Sequence, residues 1–182
     1  MSCIGERDGE VPGTRRSRFL VPHEVRFEGG ILQHGFWLYV WEVTPADQPA
    51  LYYVGRTGDS SSTNAQSPFN RMGQHLGIAK KSDMLRRHLV DHGVEPEACR
   101  FRLVTVGPSH QEARWPGRAE HDAGRDVVGA MEKALAEALA WSGCRVMNRA
   151  ASRKSLDAAR FAQVRAAFAQ VFPHLPAKRS GK

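Results

Sequence analysis

Two short apolar runs, Phe36-Trp37-Leu38-Tyr39-Val40 and Leu51-Tyr52-Tyr53-Val54-Gly55, flank a polar stretch from Thr44 to Ala50 that contains prolines and an aspartate. Proline and aspartate suit a loop and not a continuing element, so the pair predicts a β-hairpin with a polar-tipped aromatic on each strand. Small polar residues from Gly58 to Gln66 predict a further loop. Ser67-Pro68 then offers an N-cap followed by proline at the first helical position, and Phe69, Met72 and Leu76 recur at the spacing of a helical stripe. A second helix is predicted from about Ser82 to His92, stopped by Gly93. Phe101, Leu103 and Thr105 alternate with Arg102, Val104 and Val106, which predicts a third strand. The stretch from 108 to 124, with its proline and histidines, reads as a loop. Arg125 to Ser142 is Ala-, Leu- and Glu-rich and ends at Gly143, which predicts a helix. A last amphipathic helix, about Ser155 to Phe172, sets Phe161, Val164, Phe168 and Val171 on one side.

The order ββααβα plus one more helix predicts an α+β fold, a small three-stranded antiparallel sheet flanked by helices. Residues 1–33, Arg- and Gly-rich with one apolar patch at Phe19-Leu20-Val21, read as an N-terminal arm. Residues 34–150 read as the central domain, and 151–182 as an extra C-terminal helix with a basic tail. At 182 residues the chain is long enough to bury a real core.

Charge adds a partner class. Lys plus Arg number 26 against 19 Asp plus Glu, giving +7 and a pI near 9.8, a surplus that favours a polyanion. The basic residues cluster at Arg15, Arg16 and Arg18, at Lys80, Lys81, Arg86 and Arg87, and at Lys178, Arg179 and Lys182. Cys3, Cys99 and Cys144 are odd in number and far apart, so neither a disulfide scaffold nor a structural zinc site is expected. No run approaches the roughly 18 apolar residues of a membrane span, and the polar N-terminus lacks a secretory signal. A cytoplasmic protein without a membrane partner is the expectation.

Tyr39 and Tyr53-Val54-Gly55-Arg56-Thr57, followed in order by Arg71, His75, Glu132 and Asn148, resemble the signature of the GIY-YIG nuclease superfamily. The resemblance covers residues 34–150 and includes the predicted element order. Trp37-Leu38-Tyr39 stands where that signature has Gly-Ile-Tyr, and the gap between Gly55 and Arg71 is longer than usual for the family. The resemblance implies a DNA endonuclease that hydrolyses phosphodiester bonds through one metal ion, Mg²⁺ or Mn²⁺, held by Glu132. It further implies that Tyr39 helps to activate the attacking water beside Tyr53, with His75 able to share the proton work. Which of the three removes the proton is left open, as is a restriction, homing or branched-DNA repair role. A catalytically silent nucleic-acid-binding module on the same scaffold is the alternative.

Spacing supports some of these roles independently. Arg71 and His75 are four apart and share one helical face, beside the Phe69/Met72/Leu76 stripe and free to reach a cleft. A planar guanidinium can hold two phosphate oxygens and stays charged, so Arg71 is expected to clamp the scissile phosphate. At 100° per residue Glu132 falls about 20° from Leu139 and between Val128 and Ala136, whereas Glu137 projects to the wet side. A carboxylate in an apolar arc is costly unless paired or metal-bound. Asn148 is expected to brace the site by hydrogen bonding. Arg56, Lys80, Lys81, Arg114 and Arg118 are the expected DNA contacts, with Trp115 able to stack on a base. His88 and His92, four apart, lack a third ligand for zinc, and Gly55 to Ser60 lacks the lysine of a phosphate-binding loop. A double-strand cut would need two copies or two visits, so a homodimer is compatible with the chain and not required by it.

Overall fold

The structure, a computed structural model, describes residues 20, 22–58, 63–77, 84–109 and 117–175. Strands β1 (Leu38–Thr44) and β2 (Leu51–Arg56) form the predicted hairpin, antiparallel from Leu38↔Arg56 to Val43↔Leu51. β3 (Arg100–Val106) lies antiparallel on the other side of β1, with Tyr39↔Thr105 and Trp41↔Leu103. A fourth strand, β4 (Arg145–Val146), runs parallel to β2. The fold is α+β as predicted, but its sheet is mixed and four-stranded, in the order β3-β1-β2-β4, and not three-stranded antiparallel. Two residues cannot display a period, so pattern alone could not have found β4.

Alternation along the strands separates two cores. Leu38, Val40, Tyr52 and Val54 pack on one face with α3 (Arg118–Trp141) and α4 (Ala158–Ala169), through Val128, Met131, Leu135, Leu139, Phe161 and Phe168. Tyr39, Trp41, Val43, Leu51 and Tyr53 pack on the other with α2 (Met84–Asp91) and with the half-buried Met72 and Leu76 of α1 (Pro68–Leu76). Each fully buried aliphatic or aromatic contributes about 1.5–3 kcal/mol.

The helix boundaries follow local chemistry. Ser67 caps α1 as predicted, accepting from the Asn70 N–H at 3.2 Å, with Pro68 next. Gly93, at φ +70°, ends the α2 segment, and the Val94 N–H turns back to the Leu89 carbonyl. The α3 helix begins at Arg118, so residues 118–124 are helical and not part of the predicted loop. Gly124 argues for a break in the sequence, yet its missing side chain leaves room for Phe36, whose Cε2 would lie 2.6 Å from a Cβ there. The same ring meets Gly58, where a Cβ would fall 2.4 Å from Cε1. Asp157 caps α4 by accepting from the Arg160 N–H at 3.0 Å, so this helix starts after, and ends before, the predicted Ser155 and Phe172. Phe161, Val164 and Phe168 are buried as expected, joined by Phe172 and Leu175 beyond the helix end, while Val171 is half-buried. Of the expected N-terminal arm, Phe27 packs on Phe69 of α1, ring centroids 5.0 Å apart.

Candidate functional site

Tyr39 and Gly55 are direct cross-strand partners. Because Gly55 has no side chain, the Tyr39 ring crosses it: a Cβ there would lie 2.4 Å from Cε2 and 2.6 Å from the phenolic oxygen. Laid over the β2 end in this way, Tyr39 Oη comes 2.5 Å from His75 Nε2. His75 was expected beside the stripe, reaching towards a cleft. It is instead buried, at 1 % exposure, while Met72 and Leu76 are half-buried. Burial, and then the charge of Arg71, push its pKa down to about 3. The ring is therefore neutral near pH 7 and shares one hydrogen with the Tyr39 hydroxyl. Its Nδ1 is buried with no hydrogen-bond partner among the described residues.

Tyr53 lies between two imidazoles. Its ring is 5.2 Å from that of His75 at 62°, and 5.6 Å from that of His88 at 48°. Sequence reasoning weighed His88 only as a zinc ligand and missed this contact. His92 Nδ1 hydrogen-bonds the His88 carbonyl at 2.8 Å. Burial lowers the His88 pKa as well.

On the opposite face of the sheet, Arg56 Nε donates to Glu132 Oε2 at 2.9 Å, and Arg56 Nη1 to the Arg125 carbonyl at 2.8 Å. Both ionic side chains are more than four-fifths buried, at 19 % and 17 % exposure. The guanidinium lies over Gly129, where a Cβ would be 3.3 Å from Cζ. The guanidinium beside Glu132 is thus that of Arg56, which was expected to contact DNA, and not that of Arg71. The reason is topological, since α1 and α3 cover different faces, whereas Arg56 points from the strand end towards α3. Arg71 instead donates to Gln74 Oε1 at 2.9 Å and acts electrostatically on His75.

Asn148 does brace the strand. Its Oδ1 accepts from the Val54 N–H at 2.9 Å and its Nδ2 donates to the Val54 carbonyl at 2.6 Å, extending β4 with a side chain in place of a backbone. Val54, Gly55 and Arg56 are consecutive: Asn148 holds the first, Tyr39 lies across the second on one face, and the third grips Glu132 on the other. Lys80, Lys81, Arg114 and Trp115 lie outside the described residues. Arg118, expected in a loop, is in the first turn of α3 and pairs with Asp122 at 3.1 Å.

No protein-family profile, curated protein or solved structure matches this chain. Its chemistry has to be judged from its own side chains. Among the described residues no three His, Cys, Asp or Glu side chains cluster as a metal cage, and no helix is long and apolar enough to cross a membrane. One shielded carboxylate nonetheless suits Mg²⁺ or Mn²⁺, hard ions that keep several waters and take further oxygens from substrate phosphate. Arg56 on one oxygen does not exhaust a carboxylate, which has about four lone-pair sites.

Proposed function

We propose that the chain is a metal-dependent DNA endonuclease whose site is built around the end of β2. The observation that carries this reading is the 2.5 Å contact between Tyr39 and His75, formed one residue along the strand from the Arg56–Glu132 pair. With its Nε2 bare, His75 takes the Tyr39 hydroxyl proton as the phenolic oxygen takes one from the attacking water, so the proton lost by the water ends on the imidazole. Enclosed as it is, His75 acts through Tyr39 and not on solvent directly. Arg71, on the same helix, supplies the fork for a phosphate oxygen. Arg56 fixes the Glu132 carboxylate in place through the 2.9 Å Nε–Oε2 bond. A bound Mg²⁺ or Mn²⁺ at Glu132 supplies Lewis-acid polarisation of the phosphate and acidifies water.

Plasmid nicking in Mg²⁺, Mn²⁺ and EDTA tests the reading, with duplex binding measured in parallel. Glu132→Ala should abolish cleavage and leave DNA affinity within a few-fold. Tyr39→Phe should slow cleavage by roughly 10²–10⁴. Undiminished cutting by Glu132→Ala would remove the metal-site claim. Discrete bands from plasmid DNA would indicate a restriction-like enzyme, and preference for branched junctions a repair nuclease.

One observation favours a second reading, a silent DNA-binding module. Glu132 already has a guanidinium partner, and Tyr39 and His75 are both almost fully covered. Salt-sensitive binding with no cleavage in either metal would establish it.

A further inference from the structure

β4 follows β2 at a constant offset. Leu51 faces Arg145 and Tyr52 faces Val146. The Met147 N–H donates to the Tyr52 carbonyl at 2.8 Å, and Asn148 then takes up Val54 at the same 94-residue separation. Carried one residue further, this register sets Arg149 level with Gly55, the position crossed by the Tyr39 ring. Ala150 turns inwards against the α3/α4 core, while Arg149 is exposed. At the far end Lys154 Nζ pairs with Asp126 Oδ2 of α3 at 2.7 Å. The segment is therefore tied down at residue 148 and again at residue 154. Between the ties stand Arg149 and Arg153, both exposed and neither in an ion pair with a carboxylate among the described residues.

We propose that residues 149–153 form a phosphate-contacting strip that receives the DNA backbone beside the β2 end. The choice of DNA as partner rests on the endonuclease reading. Three properties support the strip. Its two guanidiniums carry full charge at any working pH and match the oxygen geometry of phosphate. The residues between them, Ala150, Ala151 and Ser152, are small enough to let a sugar-phosphate chain approach. The anchors at Asn148 and Lys154 have already ordered the backbone, so binding need not bear that entropy. Arg149 would then hold the strand at the level of the Tyr39 phenol, with Arg153 one or two phosphates away.

The test is fluorescence anisotropy on a labelled 20-base-pair duplex in EDTA, with Kd followed from 50 to 200 mM NaCl. Each phosphate contact contributes about 0.9 to the slope of log K against log salt. Arg149→Ala/Arg153→Ala should lower that slope by roughly 1.8 and raise Kd at 100 mM salt by roughly tenfold or more. Arg26→Ala/Arg100→Ala carries the same change in net charge, beside α1 and on the sheet edge opposite β4, and should move neither by a comparable amount. Melting curves of both variants should overlay the wild type, because the four side chains are largely solvated. A slope unchanged in the first variant, or lowered equally in the second, overturns the strip. Tighter binding of single-stranded RNA of the same length overturns the assignment to DNA. Wild-type protein that binds duplex but never nicks it, and whose slope falls in the first variant alone, upholds the strip and refutes the endonuclease reading.

Discussion

Gly55 gives the sharpest stability test. An alanine Cβ would lie 2.4 Å from Tyr39 Cε2, 2.5 Å from Cζ and 2.6 Å from Oη. Ordinary carbon contacts need about 3.5–4.0 Å, so the ring must withdraw by more than about 1 Å. The cost is steric and not conformational, since Gly55 has no left-handed φ. Overpacking of this kind costs about 1–3 kcal/mol. Withdrawal also pulls Oη from His75 Nε2, a neutral buried hydrogen bond contributing about 0.5–1.5 kcal/mol. Gly55→Ala should therefore destabilise the protein by roughly 2–4 kcal/mol, read from urea unfolding followed by tryptophan fluorescence. The atoms struck by the new methyl are absent in Tyr39→Leu. In that background the same substitution should cost under about 1 kcal/mol, a coupling of at least about 1 kcal/mol. A loss below about 0.5 kcal/mol in the wild type, or equal losses in both backgrounds, would show that Gly55 does not exist to admit the ring.

Protons, ion pair and strand brace give further tests. The unfolded chain protonates His75 near pH 6.5, but the folded protein resists until about pH 3, so unfolding takes up a proton across that window. Stability should fall as pH drops from 6.5 towards 3, by up to about 1.4 kcal/mol per pH unit from this group, and His75→Gln should flatten the curve of unfolding free energy against pH. Glu132→Gln and Arg56→Met should each cost about 1–3 kcal/mol, and the double variant less than their sum; strict additivity in urea melts would mean that the 2.9 Å pair is not a working contact. Asn148→Ala leaves both Val54 backbone groups without the amide and should cost about 1–3 kcal/mol. Hydrogen-exchange NMR should then show the Val54 amide exchanging at least tenfold faster, whereas unchanged protection would contradict the brace.

Local signals were read well where they were chemically complete. Ser67-Pro68 marks the start of α1, Gly93 the stop after α2, and the alternation of Phe101, Leu103 and Thr105 belongs to β3. Long-range chemistry was harder to see. Glu132 was singled out by its place in an apolar arc, but its partner Arg56 is 76 residues away, reached only once the strand end meets α3. The i, i+4 spacing of Arg71 and His75 correctly put them on one face, yet could not say that this face turns inwards under two tyrosines. The early start of α3 was masked by Gly124, whose purpose is a neighbour in another part of the chain. Asn148 stood out only through the resemblance, while Arg149 and Arg153 became notable once the β4 register was known.

Phe36 ties three distant positions into a single volume. Its ring occupies space that side chains at Gly58 and Gly124 would otherwise fill, and it rests on His121 with centroids 5.4 Å apart. A methyl at residue 124 is tolerable only after the aromatic has shrunk, and shrinking it first opens a void beneath α3. Neutral drift at this corner must therefore proceed as a paired exchange of bulk, so natural variants should show a small aliphatic at 36 accompanied by alanine or serine at 124.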